Sequence, residues 1–163
     1  MSDMTNTFRV VTANVTHAEL LATLHAAAFE KPWSARALME LLVAPGAFAL
    51  LVNSYSLIEE VSDPLGFILC RVAADECEVL TIAVIRAFRR RGIGRRLLSA
   101  AAAHAAKSGA RVMYLEVAVD NDEARKLYES AGFALAGHRS NYYRSAKDCV
   151  TIDAAILRRT LTA

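Results

Sequence analysis

An α/β domain, with a mixed and mostly antiparallel sheet flanked by helices in a three-layer arrangement, is predicted by three observations. Short apolar runs alternate with helical stripes in the order βααβββαβαββ along the 163 residues. One of those runs, Glu78 to Ile85, passes through an arginine-dense turn with two glycines straight into a helical pattern. Another, Val112 to Val119, is nearly continuously apolar, as expected for a strand covered on both faces, and is broken only by Glu116. The length suits a single domain over residues 1–163 with a core of its own. Hydrophobic residues at 55% and charged ones at 22% exclude a disordered chain.

The elements follow in order. Phe8 to Val11 reads as a first strand. Thr16-His17-Ala18-Glu19 has the form of a capping box, opening a helix with Leu20, Leu24, Ala27 and Ala28 on one face. Pro32-Trp33-Ser34 breaks that helix, and Ser34 can cap a second one carrying Leu38, Leu41 and Leu42. Ala47 to Val52 and Leu65 to Val72 form an expected antiparallel pair, joined across the polar stretch Glu59 to Pro64. After the strand Glu78 to Ile85, a helix runs from Gly92 to a terminating Gly109, with Ile93, Leu97, Leu98 and Ala101 as its stripe. Asn121 caps the helix that follows Val112 to Val119. Asp122 and Glu123 lie in its dipole-favoured first turn, and Gly132 ends it. Ala134 to Tyr143 and Val150 to Leu157 supply the last two strands.

The net charge of +2 is too small to imply a nucleic-acid partner, but its distribution is informative. Arg86, Arg89, Arg90, Arg91, Arg95 and Arg96 fall within eleven positions, interleaved with Phe88 alone. That is a poor match to a base-stacking platform and a better one to a compact polyphosphate. Cys70, Cys77 and Cys149 lack metal-type spacing, and Cys70 sits in an apolar run that suits a reduced core thiol. His17, His25, His104 and His138 are scattered at no metal spacing, so surface or partly buried roles are expected and no metal. No stretch approaches the ~20 apolar residues of a membrane span. The first residues carry no basic and apolar leader pattern, so the expectation is a soluble cytoplasmic protein with no membrane partner.

A strand delivering a basic, glycine-bearing loop to a helix N-terminus makes an anion site. Free backbone N–H groups and the helix dipole meet the ligand, and glycine lets a phosphate come close. A dinucleotide loop wants a third glycine where this chain has Leu97, and a P-loop wants a Gly-Lys-Ser/Thr that does not occur. The plain alternative is that Gly92 and Gly94 are turn glycines before a helix. Glu116 is a second candidate, because an ionised carboxylate in an apolar strand is costly unless paired, hydrated or used. Pairing with an arginine, or a strand end reaching solvent, would also explain it. Tyr128 shares a helix face with Leu127 and Ala131; a core aromatic with a satisfied hydroxyl is the alternative there.

The spacing Arg89-x-x-Gly92-x-Gly94 after a strand resembles the pyrophosphate signature of the GNAT superfamily of N-acetyltransferases, and Asn121 followed by Ala124-x-x-Leu127-Tyr128-x-x-x-Gly132-Phe133 resembles their second acetyl-CoA signature. Phe29-x-x-Pro32-Trp33-Ser34, Thr81-Ile82-Ala83-Val84, Leu115-Glu116-Val117 and Ser140-Asn141-Tyr142-Tyr143 are similar to the ribosomal-protein-alanine N-acetyltransferase (RimI) branch. The resemblance covers essentially the whole chain and implies the acyl-CoA N-acyltransferase fold, with acetyl-CoA as cosubstrate. It also implies that Arg89 belongs to the cofactor-binding loop and that Arg90, Arg91, Gly92, Ile93, Gly94 and Arg95 hold the phosphates. Ile82, Ala83 and Val84 would pair their backbone with the pantetheine, and Asn121 would touch the cofactor. Glu116 would be general base and Tyr128 general acid in direct attack, with no covalent intermediate and no cysteine nucleophile.

The implied acceptor is a protein N-terminus, ribosomal in that branch. Basic residues depart from the branch pattern at Gly137-His138-Arg139 and at Arg144 to Asp148, in a region that borders the acceptor in the family. A small amine as acceptor, or an acyl-CoA-binding module without turnover, therefore stands beside the first reading.

Overall fold

Seven strands and four helices account for residues 7–55, 63–144 and 151–162, the parts of the chain that the computed structural model describes. The connection beyond Tyr55, Cys149 and the basic stretch from Ser145 to Asp148 lie outside the described residues. The strands are β1 (Thr7–Ala13), β2 (Ala47–Tyr55), β3 (Pro64–Ala73), β4 (Glu76–Val84), β5 (Val112–Ala118), β6 (Ala134–Arg144) and β7 (Thr151–Thr160). The helices are α1 (Ala18–Ala28), α2 (Ala35–Leu42), α3 (Ile93–Lys107) and α4 (Asp122–Ser130). Hydrogen bonding orders the strands β1-β2-β3-β4-β5-β7-β6 in one mixed sheet flanked by the helices, as the element order predicts. Contacts gather into two units, residues 1–71 with 80–101 and residues 72–79 with 102–163.

In the first unit β2 pairs antiparallel with β1 and with β3, and its register with β3 shifts between Val52 and Asn53. Leu21 and Leu24 of α1 and Leu38 of α2 pack with Ala49, Leu51, Phe67, Leu69 and Ala83 into one core. Full burial of each leucine or phenylalanine side chain is worth about 1.5–3 kcal/mol. Ser34 caps α2 as expected, accepting the Ala37 N–H at 3.2 Å.

The start of α1 differs from expectation. Asn14, not Thr16, is the capping residue, over a 3₁₀ turn at Val15–His17. Its Oδ1 accepts the Thr16 N–H at 3.0 Å, while His17 Nδ1 accepts the Asn14 N–H at 3.1 Å. The Thr16 hydroxyl lies inside that turn and donates to the same Asn14 Oδ1 at 2.6 Å. The buried face of α1 is Ala18, Leu21, Leu24 and His25, whereas Ala27 is exposed. His25 is therefore a core residue, not a surface or partly buried one.

In the second unit β4 and β5 run parallel over Glu76↔Val112, Cys77↔Met113 and Glu78↔Tyr114. Antiparallel pairing of β5 with β7, and of β7 with β6, builds the rest. The stripe Ile93, Leu97, Leu98 and Ala101 of α3, which belongs to the first unit, is fully buried. The helix ends where Gly109 takes a φ of 95° that L-residues avoid. Along β5 the cover is uneven. Val112, Met113, Leu115 and Val117 are buried, but Tyr114, Glu116 and Ala118 are half-buried, so one face of this strand is partly open rather than covered. Cys70 and Cys77 are buried thiols. Among the described residues, no helix is long and apolar enough to cross a membrane.

Candidate active site

The first group of candidate residues lies on the turn from β4 into α3. Gly66 of β3 lets the chain run close to the end of β4. A Cβ there would collide with the Ala83 carbonyl and come within 3.2 Å of the Val84 side chain. An isolated glycine inside an apolar strand run is the sequence signal for such a close approach, and the sequence reading passes over it. Ala83 is buried, while Ile82 and Val84 are half-buried. After Val84 the Ile85 N–H donates to the Leu65 carbonyl at 2.9 Å, and a 3₁₀ turn at Arg86–Phe88 follows.

The arginines of this turn then divide their roles. Arg89 Nε donates to the Val84 carbonyl at 3.1 Å and pins the turn to the strand it leaves. The Arg91 guanidinium lies 4.9 Å over the Phe88 ring, and that of Arg96 lies 5.8 Å over Phe8. Arg90, Arg91 and Arg95 are exposed. Two residues of the turn have left-handed backbone, Arg90 at φ 63° and Gly92 at φ 78°. At Arg90 this is a strained conformation of the kind that persists at binding loops. A Cβ on Gly92 would meet nothing within 4 Å, so the backbone there faces open space. The Arg96 N–H bonds to the Gly92 carbonyl at 3.0 Å, which leaves the amides of Ile93, Gly94 and Arg95 ahead of the first intrahelical bond. First-turn amides that follow a left-handed turn, in a segment rich in guanidinium groups, suit an anion.

The second group lies in the second unit. Glu116, opposite Ile156 in the β5–β7 register, is on the partly open face of β5 with its side chain 24% exposed. Arg139 Nη1 reaches both of its oxygens, Oε1 at 3.1 Å and Oε2 at 3.4 Å. The arginine partner that the sequence left open as an explanation for this carboxylate thus exists. Beyond Arg139, β6 bulges, with Ser140, Asn141 and Tyr142 facing the single residue Asp153 of β7. Asn141 has a φ of 55°, and its N–H donates to Asp153 Oδ1 at 2.8 Å. The Thr151 hydroxyl donates to Asn141 Oδ1 at 2.6 Å. Sequence reasoning missed Arg139 and Asp153 as partners, because their contacts cross strands far apart in the chain.

Asn121 caps α4, its Oδ1 accepting the Ala124 N–H at 3.2 Å, which leaves its amide nitrogen as the donor for any cofactor contact. Tyr128 is buried at 7% exposure, its ring edge-on to Phe133 with centroids 6.1 Å apart.

A third cluster surrounds the Pro32-Trp33-Ser34 segment. His25 stacks on Phe29 at 4.2 Å and on Trp33 at 4.9 Å between ring centroids, and its Nδ1 accepts the Trp33 N–H at 3.2 Å. Burial pushes its pKa below the ordinary 6.5.

Known proteins resemble this chain in sequence and fold. The profile of the acetyltransferase (GNAT) family matches residues 18–133. The N-alpha-acetyltransferase RimI of Mycobacterium tuberculosis is 50% identical over 78 residues, 47% of this chain and 48% of that protein. The chain thus spans about half the length of that curated relative. The crystal structure of the ribosomal-protein-S18-alanine N-acetyltransferase from Escherichia coli superposes with a TM-score of 0.82 at 25% identity, covering 96% of each chain. Arabidopsis thaliana NAA60, in its complex with acetyl-CoA, shares the fold at a TM-score of 0.80 and 18% identity, over 94% of this chain and 98% of that one.

Proposed function

The chain belongs to the acetyltransferase (GNAT) family, and from that premise we propose that it moves the acetyl group of acetyl-CoA onto the N-terminal α-amine of a protein. The observation that carries the cosubstrate is the β4–α3 turn, where left-handed Arg90 and Gly92 precede the first-turn amides of α3 in an arginine-rich segment. Arg90 to Arg95 hold the pyrophosphate, and the backbone of Ile82 to Val84 pairs with the pantetheine.

The reaction asks for two proton movements. An α-amine of pKa near 8 is mostly protonated at pH 7 and must shed a proton to become a nucleophile. Glu116 takes that proton, directly or through water. The amine nitrogen attacks the thioester carbonyl, a C–N bond forms and the C–S bond breaks. Tyr128 supplies a proton to the departing thiolate. Asn121 contributes a further cofactor contact from the start of α4. The acceptor reading draws on the N-alpha-acetyltransferase RimI and the ribosomal-protein-S18-alanine N-acetyltransferase, and a ribosomal protein is the acceptor class that the second suggests.

Thiol release from acetyl-CoA, corrected for hydrolysis, tests the proposal against three acceptor classes. Peptides with a free N-terminus should turn over, while N-blocked lysine peptides and small amines should not. Release only with polyamines or amino acids would contradict the protein acceptor, and release with none would favour a binding module.

A further inference from the structure

We propose that Arg139 is a positioning residue that holds the Glu116 carboxylate in its working orientation, with Asp153 fixing the bulge from which Arg139 reaches it. This rests on Glu116 being the general base. Glutamate has three rotatable side-chain bonds, and on the half-open face of β5 something must choose among its rotamers. Among the described residues, the only group hydrogen-bonded to that carboxylate is Arg139. One nitrogen straddles both oxygens, which uses one lone pair on each and leaves the other for the proton of a substrate or a water. The guanidinium thus restrains the base without consuming it.

The restraint is itself anchored. Asp153 accepts the Asn141 N–H through its carboxylate, two residues beyond Arg139. Through its backbone carbonyl it accepts the Val119 N–H at 3.0 Å, three residues beyond Glu116. A single β7 residue therefore fixes the strands that carry both members of the pair. The left-handed Asn141 is a strained conformation that this clasp maintains. With the Arg139 side chain 57% exposed, the pair does little for stability, so its loss should fall on the geometry of Glu116 rather than on the fold.

The test is a double-mutant cycle in the full chain, reading kcat, KM for acetyl-CoA and melting temperature. Arg139→Met should lower kcat about 10-fold, below the ~10²-fold that a full 1 Å misplacement can cost, with KM for acetyl-CoA and melting temperature nearly unchanged. Arg139→Lys should restore part of the loss. In a Glu116→Gln background, Arg139→Met should do nothing further. An unchanged or raised kcat in Arg139→Met, or an equal loss in the Glu116→Gln background, overturns the positioning role while leaving the base in place. Wild-type kcat in Glu116→Gln alone overturns the base, and the positioning role with it.

Discussion

His25 and Trp33 are joined twice, by a ring stack and by a hydrogen bond from the Trp33 backbone N–H to His25 Nδ1 at 3.2 Å. The bond fixes the tautomer, since Nδ1 must be unprotonated to accept and Nε2 then carries the hydrogen. A residue of α1 thereby holds the segment that leads into α2.

This arrangement has a definite pH dependence. Because burial lowers its folded pKa, His25 binds fewer protons folded than unfolded. Its stabilisation is complete above the unfolded value of about 6.5 and is lost as pH falls through the lower folded value. Trp33 is the single tryptophan, so its fluorescence reports the segment directly. Emission and melting temperature should hold steady above pH ~6.5 and fall below it. His25→Phe keeps an aromatic stack and removes the titration, so its decline over the same range should be smaller. Identical pH profiles for the two proteins would contradict the assignment.

Gly92 separates backbone strain from charge. Its φ of 78° disfavours any side chain, and the space beyond it is open. Gly92→Ala should cost about 1 kcal/mol through strain alone. Gly92→Asp adds an anion where phosphates are expected and should weaken acetyl-CoA binding by at least about 10-fold, more than the alanine variant does. Equal affinities for wild type and Gly92→Asp by calorimetric titration would move the pyrophosphate elsewhere.

The two proton carriers make a separate demand. General acid or base assistance is typically worth about 10²–10⁴-fold, so Glu116→Gln and Tyr128→Phe should each lower kcat by at least ~10-fold. Acetyl-CoA affinity should stay nearly intact in both. Near-wild-type kcat in both, with folding confirmed by circular dichroism, would return Glu116 to an ion-pair partner and Tyr128 to a core aromatic.

What could be read from the sequence was whatever is written locally. The Ile93-Leu97-Leu98-Ala101 stripe, the Ser34 and Asn121 caps and the Gly109 stop all involve residues within a few positions of one another. The start of α1 departs from the sequence pattern because Asn14, and not Thr16, caps the turn that leads into it, and sequence pattern does not rank the two. In sequence His25 is one histidine among four, and only the fold puts Phe29 and Trp33 on its faces. The Arg139–Glu116 pair and the Asp153 clasp depend on strand order and on a bulge, neither of which periodicity encodes. Glu116 itself was visible, as a charge that an apolar run should not contain.

The most direct measurement is mass mapping of the acetyl group on a peptide carrying both a free N-terminal alanine and an internal lysine. The terminal amine has a pKa about two units below lysine's ~10.4, so a carboxylate base deprotonates it more easily. Label on the α-nitrogen, abolished when the N-terminus is blocked, is the predicted result. Label on the lysine, or none on either amine while a small amine is acetylated, would contradict it.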